Sequence, residues 1–315
     1  MKTSKLYQAA EKAVKNSLRL RQGERFLLIT DKEKLEIAEA FAYWASQVGA
    51  ETTTYLMTET LRPITEPTSL FKELAMRATA IAYMLESRIE EKPFRFYIVN
   101  VGMKHSRVCM MPGLTVDMME RLVNIDFKEM NVFSKKVVKA LEDADDVLVE
   151  NQQGTRVVFS VKGRRWNIDR GDIGRKGKHG NLPCGECYTA PVEESFNGKL
   201  VISLIDTILG RGVLEFERGR LVRASGKGVE AVVKNIGNDE TGKIIGEFGI
   251  GTNKHARICP NMLEAEKAFS TAHFALGDSY GLGKNKSKHH YDVLVDKVTI
   301  RAKGKVIVKD GKFLI

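Results

Sequence analysis

Three of the six histidines fall within one short segment, Ser270–Asp292 (STAHFALGDSYGLGKNKSKHHYD), as His273, His289 and His290. Tyr280 and the closing Asp292 share that segment with Gly277, Gly281 and Gly283. Neutral imidazoles and carboxylates are the ligand types that Zn²⁺, Co²⁺, Mn²⁺ and Fe²⁺ accept. In an extended chain residues i and i+2 project to the same side, so His290 and Asp292 can reach one ion together. The glycines let the backbone turn tightly and pass close to a ligand. The segment reads as half of a metal site.

Two glutamates elsewhere are candidates for the other half. Glu186 sits in NLPCGECYTAP (181–191), and Glu247 sits in GEFGIGTN (246–253). Taken singly, the first reads as a tight turn bearing an exposed glutamate, and the second as a glycine hairpin or bulged strand. Taken together, Glu186, Glu247 and Asp292 with His273 and His290 make a suitable set for two neighbouring divalent ions. A carboxylate can bridge two ions, and imidazoles complete the shell while open positions remain for water and substrate. A bound ion lowers the pKa of water to about 7, and a second polarises a carbonyl or holds a free amine. Those are the needs of an aminopeptidase. The Tyr280 hydroxyl is placed in sequence to hydrogen-bond a developing oxyanion.

The elements that must position these residues fall into two textures. From residue 4 a helical period runs to about residue 20, and RFLLIT (25–30) reads as a buried strand. Asp31 then caps a helix with Leu35, Ala38, Phe41, Ala42, Ala45 and Val48 on one face, and Glu51–Met57 reads as the next strand. Such a strand–helix–strand unit is a parallel crossover. Helices near 69–77, 87–103, 115–123 and 127–143, with strands at 79–84 and 107–111, continue it as a small doubly wound parallel sheet. No GxGxxG and no Walker loop follows the first strand, so no nucleotide site is expected. After residue 144 the chain becomes a series of short alternating strands: 147–150, 155–162, 165–168, 201–205, 212–217 and 220–224. A helix at 229–236 and a terminal hairpin at 306–308 and 313–315 complete this half. The expected fold is therefore an α/β domain over 1–144 and a mainly β, α+β metal-binding domain over 145–315.

Composition narrows the classes. Hydrophobic residues at 43% and charged residues at 29% are the balance of a globular chain. No segment approaches the roughly 20 apolar residues of a membrane span, and MKTSKLYQAAEKAVKN lacks the apolar core of a secretion signal. No membrane partner and a cytoplasmic location are expected. The net charge of +10 would favour polyanions, but it is spread out, in short clusters such as Arg175–His179 and Lys284–His289. No nucleic-acid-binding motif accompanies it, so nucleic acid is not the expected partner. Cys184 and Cys187 have CxxC spacing without a second pair or nearby histidines for a structural zinc site. They read as small buried residues, with a redox dithiol as the other reading.

NLPCGECYTAP, GEFGIGTN, EKAFSTAHFALGDSYG and NKSKHHYD resemble the successive signatures of the thermophilic aminopeptidase T/aminopeptidase S family of metallopeptidases. The QGERFLLI strand, the helix ending in VGAE and the later RVCMMPGLT are similar to that family more weakly. The resemblance implies a two-metal site, often active with cobalt or zinc, in a homodimer that encloses its active sites. It makes Glu186, Glu247, His273, His290 and Asp292 the metal ligands, with Glu186, Glu247 and Tyr280 in the catalytic machinery. His289 falls outside the matching positions and is expected at the surface or supporting a ligand. This chain is shorter than the usual member, with a reduced N-terminal domain and a shortened interval between His273 and His290. Ser270 stands where a glycine is usual. The expected function is a metal-dependent aminopeptidase acting on short peptides through a water activated by two ions of Zn, Co or Mn. Two alternatives remain open. One is a mononuclear non-haem iron dioxygenase of the same superfamily, cleaving aromatic rings with His273, His290 and Asp292 on Fe²⁺. The other is a non-catalytic basic binding protein in which metal only holds loops together.

Overall fold

The computed structural model describes residues 4–205, 208–226 and 228–315. The chain divides into two compact units, residues 1–126 with 171–184, and residues 127–170 with 185–315. The sequence pattern places the change of texture at 144. The helix Phe127–Leu141 nevertheless groups with the second unit, while the stretch 171–184 returns to the first. The helix packs on the strands Asn167–Asp169 and Glu186–Thr189, and His179–Asn181 pairs with Val108–Met110; local periodicity carries no trace of either.

The first unit holds a five-stranded sheet. Its first four strands are β1 (Arg25–Asp31), β2 (Glu51–Met57), β3 (Ala80–Met84) and β4 (Arg107–Met110). They lie in the order β2-β1-β3-β4, every pair parallel, and His179–Asn181 extends the sheet beside β4. The apolar runs of β1 and β3 are buried, as a parallel sheet covered on both faces requires. The order reverses between β1 and β3, the place where open parallel sheets usually leave a ligand crevice. Here that place is filled. Arg62 bonds Asp31 at the end of β1 at 2.7 Å and Glu91 at 2.6 and 2.8 Å, and all three side chains are fully buried. The Asp31 carboxylate also accepts from the backbone of Lys34 and Glu86.

The second unit is built on a large, mainly antiparallel sheet. The strands that matter below are β5 (Asn167–Asp169), β6 (Glu186–Thr189), β7 (Ile245–Gly251), β8 (Ala272–Gly277) and β9 (His290–Val295). They run side by side in the order β9-β8-β7-β6-β5. Successive side chains alternate between the faces of a strand. One face sends Phe248 and Phe274 into an aromatic core with Phe159 and Phe196, with ring centroids 4.9–5.2 Å apart along that chain. The opposite face carries the polar residues. Thr299–Ala302, which the sequence pattern does not mark, pairs with Asp146–Glu150 and with Lys305–Lys309 of the terminal hairpin. No helix among the described residues is long and apolar enough to cross a membrane.

Candidate metal centre

The five residues expected to bind metal all project from the polar face of adjacent strands. Glu186 opens β6, Glu247 lies on β7, His273 on β8, and His290 and Asp292 on β9. Glu186 is therefore a strand residue where its neighbours suggest a turn, and Glu247 lies on a bulged strand, one of the two readings its glycines allow. Register explains how they converge. Gly249 stands opposite His273, Gly251 opposite Glu186, and Ala275 bridges Glu247 on one side and Asp292 on the other. A shift in register between Ile245 and Glu247 re-aims the β7 side chain, the work of a bulge. Gly249 makes room for a ligand: a Cβ there would lie 2.0 Å from His273 Nε2.

Two ligand groups result among the described residues. Glu186, Glu247 and His273 offer atoms within 4.8 Å of one another, and so do Glu247, His290 and Asp292. His273 Nε2 lies 3.1 Å from Glu186 Oε2 and 3.4 Å from Glu247 Oε1. His290 Nε2 lies 3.5 Å from Asp292 Oδ1. Glu247 belongs to both groups. His273 falls in the first group and His290 with Asp292 in the second, so the two-histidine, one-carboxylate triad is not drawn together as one set.

The chemistry of these donors fits divalent ions. Glu186 Oε2 and both ring nitrogens of His273 are buried without an aligned hydrogen bond, an arrangement that burial alone penalises. Burial opposes charging His273, yet the adjoining Glu186 and Glu247 hold its pKa well above the ordinary value. Burial likewise disfavours the Glu186 carboxylate, but Lys267 and His273 beside it bring its pKa down to about 2. On the His290 ring, Nδ1 lies 2.8 Å from the Asp278 carbonyl, so Nδ1–H donates and Nε2 is the ligand atom facing Asp292. The Asp278 carboxylate accepts from the backbone of Tyr280 at 2.7 Å and of Ser287 at 3.0 Å, shaping the loop that returns to β9.

Tyr280 occupies a left-handed backbone position, φ 48°, with its ring centroid 4.3 Å from that of His290. It is 47% exposed. His289 is not at the surface, the first of the two places expected for it. It is buried, stacked on Tyr291 and 3.8 Å from Asp239, so it braces the loop rather than facing solvent. Cys184 and Cys187 are both buried. The Cys187 thiol donates to the Ser134 carbonyl at 3.3 Å, and burial pushes its pKa up, the opposite of a reactive redox cysteine.

Four residues near the ligands escape sequence reasoning. Lys267 is fully buried with Nζ 2.8 Å from Glu186 Oε1, and it also bonds Glu266. Glu266 is pushed up to about 8, by burial first, with Glu186 and Asp292 adding to the effect and Lys267 opposing it. Tyr188 and Asp169 share the polar face, Tyr188 two residues after Glu186 and Asp169 directly opposite it in register. Reading 186–189 as a strand would have exposed Tyr188, whereas nothing local marks Lys267.

No curated protein matches the sequence. Wild-type AmpT from Thermus thermophilus superposes with a TM-score of 0.77 at 17% identity, covering 100% of each chain. The 2,5-dihydroxypyridine dioxygenase from Pseudomonas putida superposes with a TM-score of 0.75 at 18% identity, covering 99% of this chain and 98% of that one. At such identities the likeness is one of fold. The profile of the thermophilic metalloproteases (M29) matches residues 125–313, which span every ligand candidate and more than half of the sequence. The chain belongs to the thermophilic metalloprotease (M29) family, and it is a metallopeptidase.

Proposed function

We propose that the protein is an aminopeptidase that removes N-terminal residues from short peptides at a site for two divalent ions. The observation that carries this reading is Glu247, whose carboxylate is common to both ligand groups, as a bridging ligand must be. Glu186, Glu247 and His273 would hold one ion, and Glu247, His290 and Asp292 the other. The mixed nitrogen and oxygen donor set suits Zn²⁺, Co²⁺ or Mn²⁺. When bound, such ions supply a water that ionises near neutral pH and a Lewis acid for the scissile carbonyl.

The chain's own residues do the rest. Asp278 fixes the His290 ring through its carbonyl, so that Nε2 faces Asp292. Tyr280, held by the same aspartate through its backbone N–H, has its ring beside that of His290, and its phenol would donate to the carbonyl oxygen as negative charge develops there. We also read the protein as a cytoplasmic homodimer. Both follow from the family resemblance and the sequence, and sedimentation tests the second.

The deciding experiment strips the protein with a chelator, restores single metals, and measures metal per chain alongside hydrolysis of amino-acid anilides and blocked peptides. The reading expects about two ions per chain, turnover that depends on a free N-terminus, and none without metal. A single iron per chain with no hydrolysis would replace it with the ring-cleaving dioxygenase. Metal-independent, salt-sensitive binding to polyanions would replace it with a binding protein.

A further inference from the structure

A buried lysine is expensive. Lys267 is withdrawn from solvent, and its ammonium contacts two carboxylates, Glu186 and Glu266. The backbone brings it there by a specific device. Gly251 of β7 stands opposite Glu186, and a Cβ at that position would fall 1.9 Å from the Ala268 carbonyl oxygen and 2.8 Å from the Lys267 carbonyl carbon. Only glycine lets the 267–268 backbone lie against β7. There Asn253 N–H donates to the Lys267 carbonyl at 3.0 Å and Ser270 N–H to the Gly251 carbonyl at 2.9 Å.

The two oxygens of Glu186 are thereby divided. Oε1 faces Lys267 Nζ at 2.8 Å, and Oε2 faces His273 Nε2 at 3.1 Å. A carboxylate with both oxygens available can chelate one ion and fill two coordination positions, whereas a catalytic site needs a position left for water or substrate. We propose that Lys267 is a positioning residue that occupies Oε1 of Glu186 and limits that carboxylate to one-oxygen ligation, keeping a coordination position open. This rests on the two-ion reading above and adds to it the residue that sets the coordination number. Glu266 bonds the other side of the ammonium.

Lys267→Met keeps the length of the side chain and removes the cation. Glu266→Gln with Lys267→Met replaces both members of that contact, and serves if the single variant does not fold. Each variant is loaded with Co²⁺ alone, and its ligand-field absorption, cobalt content, kcat and KM are measured against the wild type. The proposal expects cobalt retained, a spectrum shifted toward higher coordination number, kcat lowered about 10–100-fold, as for other supporting partners of metal ligands, and KM nearly unchanged. A wild-type spectrum and kcat in either variant overturns it. So does loss of cobalt, which would make Lys267 necessary for binding rather than for denticity. If neither variant folds, Lys267 is a stabilising residue and the proposal falls. Failure of the two-ion reading is seen separately, in a wild-type protein that takes up no cobalt or does not hydrolyse peptides.

Discussion

Gly249→Ala tests the geometry of the centre with a single methyl group. The backbone at Gly249 is ordinary strand and accepts alanine, so any effect is steric. The new Cβ would stand 2.0 Å from Nε2 and 2.1 Å from Cε1 of His273. Ordinary contact needs about 3.5 Å, so the ring must retreat by about 1.5 Å. It has little room to do so, because His273 is fully buried and its strand is paired on both sides. Ligand distances tolerate only about 0.2 Å, so the retreat removes His273 from the first ligand group. Misplacement on the scale of 1 Å costs on the order of 100-fold in rate. Overpacking itself costs about 1–3 kcal/mol of stability, enough to lower Tm without unfolding the protein. The assay is metal per chain by elemental analysis together with kcat/KM on an amino-acid anilide, with Tm as the control for folding. Reduced metal and a rate loss of about 100-fold in a folded protein are expected. A folded Gly249→Ala protein with wild-type metal content and turnover would refute the placement of His273 at the centre.

Three further outcomes follow from other parts of the molecule. Glu247→Gln weakens both ions, whereas Glu186→Gln weakens only one. Titration should show the first variant losing affinity at two sites by more than the roughly 10–100-fold typical of a lost supporting partner. In the first unit, Arg62→Leu leaves Asp31 and Glu91 buried without their cation. Urea unfolding of that unit should show a loss of about 3–5 kcal/mol, and a loss under about 1 kcal/mol would contradict the structural role assigned to the cluster. The Asp239 carboxylate accepts from Thr241 first, with Ser287 and the Gly242 backbone adding to it, and its pKa is lowered to about 2, below the unfolded value of about 3.9. A depressed acid stabilises the fold above its unfolded pKa and loses that contribution as pH falls through its folded pKa. The Tm difference between wild type and Asp239→Asn should therefore be full above about pH 4 and close toward about pH 2. A difference that stays constant over that window would mean the charge is not what matters.

Much of the architecture is visible in the sequence because it is local. The apolar run of β1, the Thr68 cap before Ser69–Arg77 and the periodic face of Val229–Ile236 each specify their own element. His179–Asn181 is different. Three residues with no strand pattern become strand by adding to β4, more than 70 positions earlier in the chain. Within the site, His290 and Asp292 are legible because a strand places residues i and i+2 on one face. Glu186 and Glu247 are legible by type but not by place. The glycines around Glu247 read equally as a hairpin or a bulged strand, and Gly249 and Gly251 prove to be spacers inside a strand, one clearing the His273 ring and the other admitting the Lys267 backbone. A glycine's local meaning cannot reveal which neighbour it makes room for.

The fold alone does not choose between peptide hydrolysis and ring cleavage, since solved structures of both kinds share it. The choice has to come from residues that one chemistry needs and the other leaves idle. A single iron on His273, His290 and Asp292 would leave Glu186, Glu247 and Lys267, all buried, serving no ion. Burying such a trio for stability alone makes poor physical sense. A buried ion pair is often no better than an apolar replacement of the same volume, because desolvation consumes the Coulombic gain. Glycine at 251 is needed to let the lysine approach, and glycine at 249 is needed to seat the imidazole. Together these features keep Glu186 ionised down to about pH 2 and present one of its oxygens beside the His273 ring. An anionic oxygen and an imidazole nitrogen held 3.1 Å apart without an aligned hydrogen bond are what a second cation requires.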